Sequence, residues 1–277
     1  MDSVSLHLHL NYVSSSGGVL TAEQKTTLQI SLELVKKNYK FTRVYFWGKI
    51  MGLNADYFIV QGVEKDEMRG RKTLYSLNCM EWKLLPPATN EMIATSMIAK
   101  GRFMGDPSHE YESVPVKKAD EDTAETNDSD IGFKVKEEER LTAVIEQINR
   151  EAAIVPRGAF VKTPREYVHK NRSFEGLSVS EAGKLRSYLH FTEPVALKTK
   201  SLLLKANLED SIDFLDSIDD DELKVFWSLQ YERGSNLIVL RSLLWLGFTF
   251  FHVPNTSQFG SVYIGLGEKN MDFPFMV

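Results

Sequence analysis

Hydrophobic residues in the first forty positions recur at helical spacing. Leu28, Leu32 and Val35 lie four and three positions apart, and Thr21 with Gln24 forms the residue pair of a capping box. The lysines that close this segment suit the negative C-terminal end of a helix. The pattern therefore predicts an amphipathic helix that begins after Thr21 and ends near residues 36–38.

Three other segments carry helical signals. Residues 136–152 show the same spacing, and their apolar side chains fall on one face of a helix. Shorter helices are predicted within residues 89–97 and 178–189, because each segment begins with residues that commonly cap a helix. Helices therefore recur along the whole chain.

Runs of aromatic and β-branched residues, bounded by glycine, proline or asparagine, predict β-strands. The strand-like runs are residues 41–47, 55–62, 73–78, 153–161, 224–232, 236–253 and 259–265. Many of these runs follow each other closely, which favours hairpins over alternating strand–helix units. The fold class predicted is α+β, with antiparallel sheets built from hairpins and four or five flanking helices.

The composition changes at residues 117–131, where six acidic residues and two lysines accompany a single large apolar residue. We expect a flexible surface loop or linker there, because such a segment adds little to a hydrophobic core. It would separate an N-terminal helix plus β-hairpin lobe, residues 1–116, from a C-terminal α+β lobe, residues 132–277, that ends in an apolar hairpin. The sequence leaves open whether the two lobes share one core.

Charge and cysteine content argue against several classes of protein. The net charge of −5 provides no basic surface for nucleic acid. Cys79 is the one cysteine, so no intramolecular disulfide is possible and a reducing compartment is indicated. The longest apolar run, residues 237–253, is short for a membrane span and contains Arg241. The polar N-terminal segment does not fit a secretion signal, so neither a membrane protein nor a secreted protein is expected.

Side chains that bind metals are scattered rather than grouped. His7 and His9 would share one face if their segment were a strand, but a partly exposed pair is the more ordinary interpretation. The acidic residues 216–222 resemble a calcium loop, yet Asp221 occupies the sixth position, where that loop needs glycine. We expect a solvated acidic segment, with a calcium-responsive module as the alternative.

Catalytic motifs are not found in the sequence. Gly265 and Gly267 lack the third glycine of a dinucleotide-binding loop, and Cys79 lies among apolar residues, as is typical of an inert thiol. We therefore predict no catalytic residue, no metal site and no cofactor. An enzyme with carboxylate chemistry stays open, because the sequence does not show which of its 38 acidic residues meet in space.

Several longer strings together resemble a known family. They are FWGKI at 46–50, KTLYSLNC at 72–79, EWKLLPPA at 81–88, KGRFMGDPS at 100–108, PRGA at 156–159, FEGLS at 174–178, LRSLLW at 240–245 and GEKNMD at 267–272. With these strings in this order and spacing, the sequence resembles the radial spoke head proteins of the axoneme of motile cilia and flagella. The resemblance extends essentially from end to end of the chain.

The resemblance implies a structural part of the radial spoke head, without catalysis and without a cofactor. The implied partners are paralogous radial spoke head proteins and other spoke components, with transient contact to the central pair apparatus; a homodimer is a further option. No nucleic acid or membrane is implied as a partner. The implied location is the cytoplasm, in the cytoskeleton of the axoneme of cilia and flagella, where the spoke transmits signals between the central pair and the dynein arms.

Arg102, Arg241 and Trp245 are the residues predicted for a partner interface. Both arginines stand beside apolar strings, where a guanidinium group could bind a carboxylate of a partner. Tryptophan supplies a large apolar area to interfaces and to cores alike. For Trp245 the core is therefore the alternative, and for the arginines the alternative is an ordinary exposed strand edge.

Overall fold

The computed structural model describes residues 1–13, 20–96, 99, 101–112, 134–206, 208–221 and 226–272 of the chain. The acidic segment predicted as a linker, residues 117–131, lies outside the described residues. In the described part, the helices are α1 (Leu6–Val13), α2 (Ala22–Asn38), α3 (Asn90–Ser96), α4 (Glu137–Ala152), α5 (Val179–Ala182), α6 (Ala196–Thr199) and α7 (Leu202–Lys205). Short 3-10 helices lie at Ser3–Ser5, Leu185–Ser187 and Ile218–Asp220.

The described part contains β-strands along most of its length. They are β1 (Arg43–Ile50), β2 (Tyr57–Val63), β3 (Lys72–Ser76), β4 (Lys83–Leu84), β5 (Glu110–Glu112), β6 (Lys134–Lys136), β7 (Ile154–Pro156), β8 (Phe160–Lys162), β9 (Val168–Lys170), β10 (Tyr188–His190), β11 (Trp227–Glu232), β12 (Leu237–Ser242), β13 (Phe248–His252) and β14 (Phe259–Gly265).

An eight-stranded sheet forms the centre of the described structure, in the order β11-β12-β13-β14-β1-β2-β3-β4. Neighbouring strands are antiparallel, except that β1 and β14 are parallel. Three two-stranded antiparallel sheets pair β7 with β10, β5 with β6, and β8 with β9. Because hairpins build most of these sheets and helices flank them, the predicted α+β class is confirmed.

The parallel pair β1 and β14 brings the two ends of the chain together in the central sheet. Gly48 lies opposite Tyr263, with a φ of +152°, and a Cβ added at Gly48 would lie 2.0 Å from the carbonyl oxygen of Tyr263. Glycine therefore permits the close approach of the two strands. The sheet takes strands from both sides of residues 117–131, and the division into two lobes at that segment stays a prediction.

Alternating side chains supply a hydrophobic core on each face of the central sheet. Phe58 and Val60 of β2 pack in a cluster with the buried sides of α1 and α2. Tyr57 and Ile59 belong to the cluster on the opposite face, which α4 covers. Every residue of β2 is buried, as expected for a strand covered on both faces. A smaller cluster joins β7, β8, β9 and β10.

The two long helices confirm the pattern read from the sequence. At the start of α2, the Gln24 N–H donates to Thr21 Oγ1 at 3.2 Å, and the Thr21 N–H donates to Gln24 Oε1 at 3.0 Å. Both capping-box bonds are thus present, and α2 ends at Asn38. Within the described ranges, no helix combines the length and the apolar character that a bilayer-spanning helix needs.

The helix predicted within residues 178–189 is wrong in length. α5 ends at Ala182, and a 3-10 turn leads directly into β10, which pairs with β7. Tyr188 is fully buried, and its hydroxyl donates a hydrogen bond to the carbonyl oxygen of Ala182 at 2.8 Å. Strand pairing and tertiary burial therefore outweigh the local helical pattern.

Candidate partner interface

Arg102 is exposed in the segment that precedes β5. Its neighbour Phe103 is fully buried and bridges to Gly52, and the Leu53 N–H donates to the carbonyl oxygen of Phe103 at 2.8 Å. The segment is therefore anchored on the end of β1 and presents Arg102 to solvent.

Glu137, the first residue of α4, holds the same segment from the other side. It is fully buried. Its carboxylate accepts five hydrogen bonds, from the N–H groups of Met104, Gly105 and Asp106 and from the hydroxyls of Tyr57 and Tyr111, at 2.5–3.2 Å. These donors replace the water that a buried carboxylate loses, and the positive end of the helix dipole adds to their effect. Glu137 therefore fixes the position from which Arg102 points outward.

Arg140 lies one helical turn after Glu137 and completes this support. Its guanidinium stacks between the rings of Phe103 and Tyr111, 4.4 Å and 4.8 Å from their centroids, and Nη2 donates to the carbonyl oxygen of Gly101. Its Nε and Nη1 atoms are buried and have no hydrogen-bond partner among the described residues. Sequence reasoning missed both residues, because identity alone does not show which charged side chains of a helix are buried.

Arg241 lies on β12, opposite Ser228 of the neighbouring strand β11, which forms one edge of the sheet. It is half-buried, and its Nη1 donates to Gln230 Oε1 at 2.7 Å. The bond between neighbouring strands holds the guanidinium near the sheet edge.

Trp245 is inside the core, with 1% of its surface exposed. Its Nε1 donates to Glu151 Oε2 at 2.8 Å, and Glu151 Oε1 pairs with Lys269 at 2.7 Å. Among the described residues, no hydrogen bond or ion pair joins any two of Arg102, Arg241 and Trp245. The role of these three residues in a partner interface stays a prediction.

The same-face arrangement considered for His7 and His9 is wrong, because their segment is the helix α1 and not a strand. Positions two apart lie on different sides of a helix, and accordingly His7 is exposed while His9 is buried. Burial lowers the pKa of His9 to about 4. The described residues contain no group of three or more His, Cys, Asp or Glu side chains that could hold a metal ion.

The acidic run at 216–222 makes contacts within the chain. Asp216 accepts the N–H groups of residues 195–197 at 2.6–2.9 Å. Asp220 pairs with Lys200 at 2.7 Å, and Asp221 lies 3.0 Å from His190 Nε2. These three carboxylates therefore stabilise a loop through contacts within the chain. Glu222 lies outside the described residues.

Cys79 is buried, and burial raises the pKa of its thiol to about 12. The thiol is therefore protonated at neutral pH, which agrees with the prediction of an inert cysteine.

Two rows of large apolar side chains face solvent on the helical layer. Val4 and Leu8 form the first row, with 69% and 52% of their surfaces exposed; Ile30 and Leu34 of α2 form the second, with 63% and 54%. Ile30 and Leu34 are four positions apart in α2 and so lie on one side of that helix, whereas Val4 belongs to the 3-10 turn Ser3–Ser5 that precedes α1. Single exposed apolar residues are ordinary, but an aligned pair such as Ile30 and Leu34, on a helix that already buries its other side, is typical of a surface that a partner covers.

Comparison with known proteins agrees with the resemblance seen in the sequence. The chain matches the family described as radial spokehead-like protein over residues 3–127. It is 56% identical over 277 residues to the Radial spoke head protein 9 homolog of Homo sapiens, covering 100% of both chains. Proteins of the same name from Danio rerio and Xenopus tropicalis are 54% and 49% identical, again over 100% of both chains. The chain therefore belongs to the radial spokehead-like family, whose members are structural proteins of the radial spoke head in the axoneme of cilia and flagella.

Proposed function

We propose that this chain is a non-catalytic subunit of the spoke head that assembles with paralogous radial spoke head proteins and other spoke components. In that assembly it makes transient contact with the central pair apparatus and helps to transmit signals between the central pair and the dynein arms. A sheet covered on both faces supports this proposal, because close-packed cores resist compression and pass strain onward.

The observation that carries the proposal is the pair of exposed apolar rows, Val4 with Leu8 and Ile30 with Leu34. The opposite sides of these helices already pack on the sheet, so the rows add nothing to the core. Covering apolar surface gains roughly 25 cal/mol per Å². Burial of these rows by a partner would therefore stabilise the complex relative to the separate chains.

Arg102 and Arg241 supply candidate polar contacts for the same assembly. The hydrogen bonds of Glu137 hold the segment of Arg102 in place, and Gln230 holds Arg241. Binding a partner carboxylate would therefore cost little ordering of the backbone at Arg102 and of the side chain at Arg241.

The non-catalytic part of the proposal is supported by the structural use of buried and half-buried carboxylates. Glu137 is surrounded by hydrogen-bond donors, and Asp213 forms a two-pronged ion pair with Arg157 at 2.6 Å and 2.7 Å. Asp216 caps the backbone of residues 195–197. Each of these groups stabilises a loop or a helix start.

Complex formation with purified paralogous spoke-head proteins tests the proposal. We expect mass photometry to show a stable complex with the wild-type chain. The double variant Ile30→Asp/Leu34→Asp should bind at least about tenfold more weakly, because each new carboxylate must lose its water at the interface. The mass of the free chain in the same measurement shows whether it forms a homodimer.

Gln29→Asp is the control, since it places one new carboxylate on an exposed position of α2 outside the row. It should bind like the wild type. A wild-type chain that forms no complex, or a double variant that binds as tightly as the control, would contradict the proposal.

A further inference from the structure

A cavity of about 300 Å³ lies beside α1, β8 and β9. Five phenylalanine and tyrosine side chains contribute to its lining: Tyr45, Phe160, Phe191, Phe250 and Phe259. Arg71 and Lys170 also line it, although the chain as a whole has a net charge of −5. Aromatic walls with a few convergent charged groups suit an anionic group carried on an apolar stem.

Arg71 is held by neutral acceptors. Its Nε donates to the carbonyl oxygen of Glu67 at 2.7 Å, and its Nη1 donates to Gln61 Oε1 at 3.2 Å. The guanidinium lies over the ring of Phe191, 4.9 Å from the centroid. Within the described residues, Nη2 has no hydrogen-bond acceptor and the guanidinium has no ion-pair partner. One edge of a planar, two-pronged donor is therefore left open.

Lys170 provides a second cation in the same cavity. Its Nζ lies 5.5 Å from the ring centroid of Phe259, and among the described residues it forms no ion pair. Asp2 also lines the cavity, and its carboxylate accepts the Val4 N–H at 3.2 Å. His9 adds no charge at neutral pH, since burial lowers its pKa to about 4. The positive charges of the lining therefore exceed the negative ones.

Several other arginines of the described residues are already neutralised by a carboxylate. Ion pairs join Arg43 with Glu67 at 2.7 Å, Arg150 with Glu146 at 3.2 Å and Arg157 with Asp213 at 2.6 Å. Arg71 has no ion pair within the described residues; burial lowers its pKa, and the more distant carboxylates of Glu67, Asp66 and Glu146 offset this only in part. A carboxylate on its open edge would offset the lost hydration and would match the fork geometry of the guanidinium.

We propose that this cavity binds the side-chain carboxylate of a glutamate or aspartate in an acidic segment of a partner spoke-head chain. The carboxylate lies against the open edge of Arg71, with Lys170 as the second cation. The aliphatic part of the acidic side chain lies between the aromatic walls. This inference rests on the proposed function, because that function supplies the partner.

The first test uses the purified full chain, with an acetylated hexaglutamate amide as the probe and the hexaglutamine peptide as the neutral control. A ligand that binds the folded chain raises its melting temperature. We expect hexaglutamate to raise the melting temperature of the wild type and of Arg150→Gln, and to leave that of Arg71→Gln unchanged. Arg150 is the matched control because it is an arginine already paired with Glu146 and lies outside this cavity.

The second test measures affinity for the paralogous partner by mass photometry. Arg71→Gln should weaken binding at least about tenfold, and Arg71→Lys, which keeps the charge but loses the fork, by less. Arg150→Gln should bind like the wild type. If Arg71→Gln does not fold, Lys170→Gln replaces it, and this variant should lose part of the hexaglutamate-induced shift.

The outcomes separate the two proposals. A hexaglutamate shift that is absent in the wild type, or equal in wild type and Arg71→Gln, overturns the cavity proposal and leaves the assembly proposal standing. If Arg71→Gln loses the hexaglutamate-induced rise in melting temperature but binds the partner as tightly as the wild type, the cavity binds carboxylates but not one from the partner chain. A wild-type chain that forms no complex overturns the assembly proposal, and the peptide shift then still decides whether the cavity binds carboxylates.

Discussion

Glu137 is the residue on which the presentation of Arg102 depends most directly. Glu137→Gln keeps the side-chain size but removes the charge and turns an amide NH₂ toward groups that are themselves donors. Unsatisfied buried donors cost about 1–3 kcal/mol each, so we expect the free energy of unfolding to fall by about 3 kcal/mol. Urea denaturation followed by tryptophan fluorescence measures this loss.

Glu139→Gln is the control for that measurement. Glu139 lies in the same first turn of α4 but is partly exposed, and its Oε2 accepts the Lys136 N–H at a long 3.4 Å. Its loss should cost less than about 1 kcal/mol, the usual size of a helix-dipole or capping contribution at a surface. Equal losses in the two variants would contradict the special role of Glu137.

Residue identity alone could not reveal these roles. Glu137 is the first of three successive glutamates, and only the tertiary fold decides which one is buried. The sequence allows both a core and an interface position for Trp245, and its burial depends on the contact of α4 with the turn after β12. Arg102 and Arg241 were found as candidates because charged residues beside apolar strings are visible in the sequence itself.

At the scale of elements, the parallel pairing of β1 with β14 depends on Gly48. Gly48→Ala would place a methyl group 2.0 Å from the carbonyl oxygen of Tyr263, so the strands would have to separate. We expect a loss of more than about 3 kcal/mol in the free energy of unfolding, as is usual for severe overpacking or backbone strain. Thermal and urea unfolding of the purified variant measure this loss.

Gly70→Ala is the control that distinguishes the steric clash at position 48 from the strain of a left-handed backbone conformation. Gly70 has a φ of +71°, but an added Cβ would meet nothing within 4 Å. That variant should lose only the cost of a left-handed residue, about 1–2 kcal/mol. If the two alanine variants were equally stable, close approach of β1 and β14 would not explain the glycine at position 48.

The same elements show how far local pattern predicts this fold. The capping box of α2 and the apolar spacing within both α2 and α4 are local features, so the sequence predicts these helices well. The β1–β2 hairpin joins neighbouring runs and is predicted for the same reason. The β1–β14 pair joins residues far apart in the chain, and no local pattern specifies it. The helix prediction for residues 178–189 is wrong because pairing with a strand distant in sequence outweighs a good local helix cap.

At the scale of the whole molecule, two buried histidines couple folding to pH. His9 lies in α1 and His252 in β13, on separate elements of the fold. His252 Nε2 accepts the Leu177 N–H at 3.2 Å, and Nδ1 lies 3.1 Å from the carbonyl oxygen of Gln258, so the ring is held neutral. Burial lowers the pKa of both histidines to about 4.

The direction of the pH effect follows from these values. An unfolded histidine has a pKa of 6.5, so the unfolded chain takes up protons before the folded chain as pH falls. The contribution of each neutral histidine to the free energy of unfolding is therefore fully present above about pH 6.5, and it is lost as the pH falls toward about 4. For His252 the difference between the unfolded and folded pKa corresponds to about 3 kcal/mol of stability.

The urea midpoint should accordingly decrease between about pH 7 and about pH 5, a pH range above most carboxylate titrations. His252→Gln should flatten part of that decrease, whereas His7→Gln, at an exposed position, should keep the wild-type slope. An equally steep decrease in His252→Gln would show that protonation elsewhere limits the stability of the fold in acid.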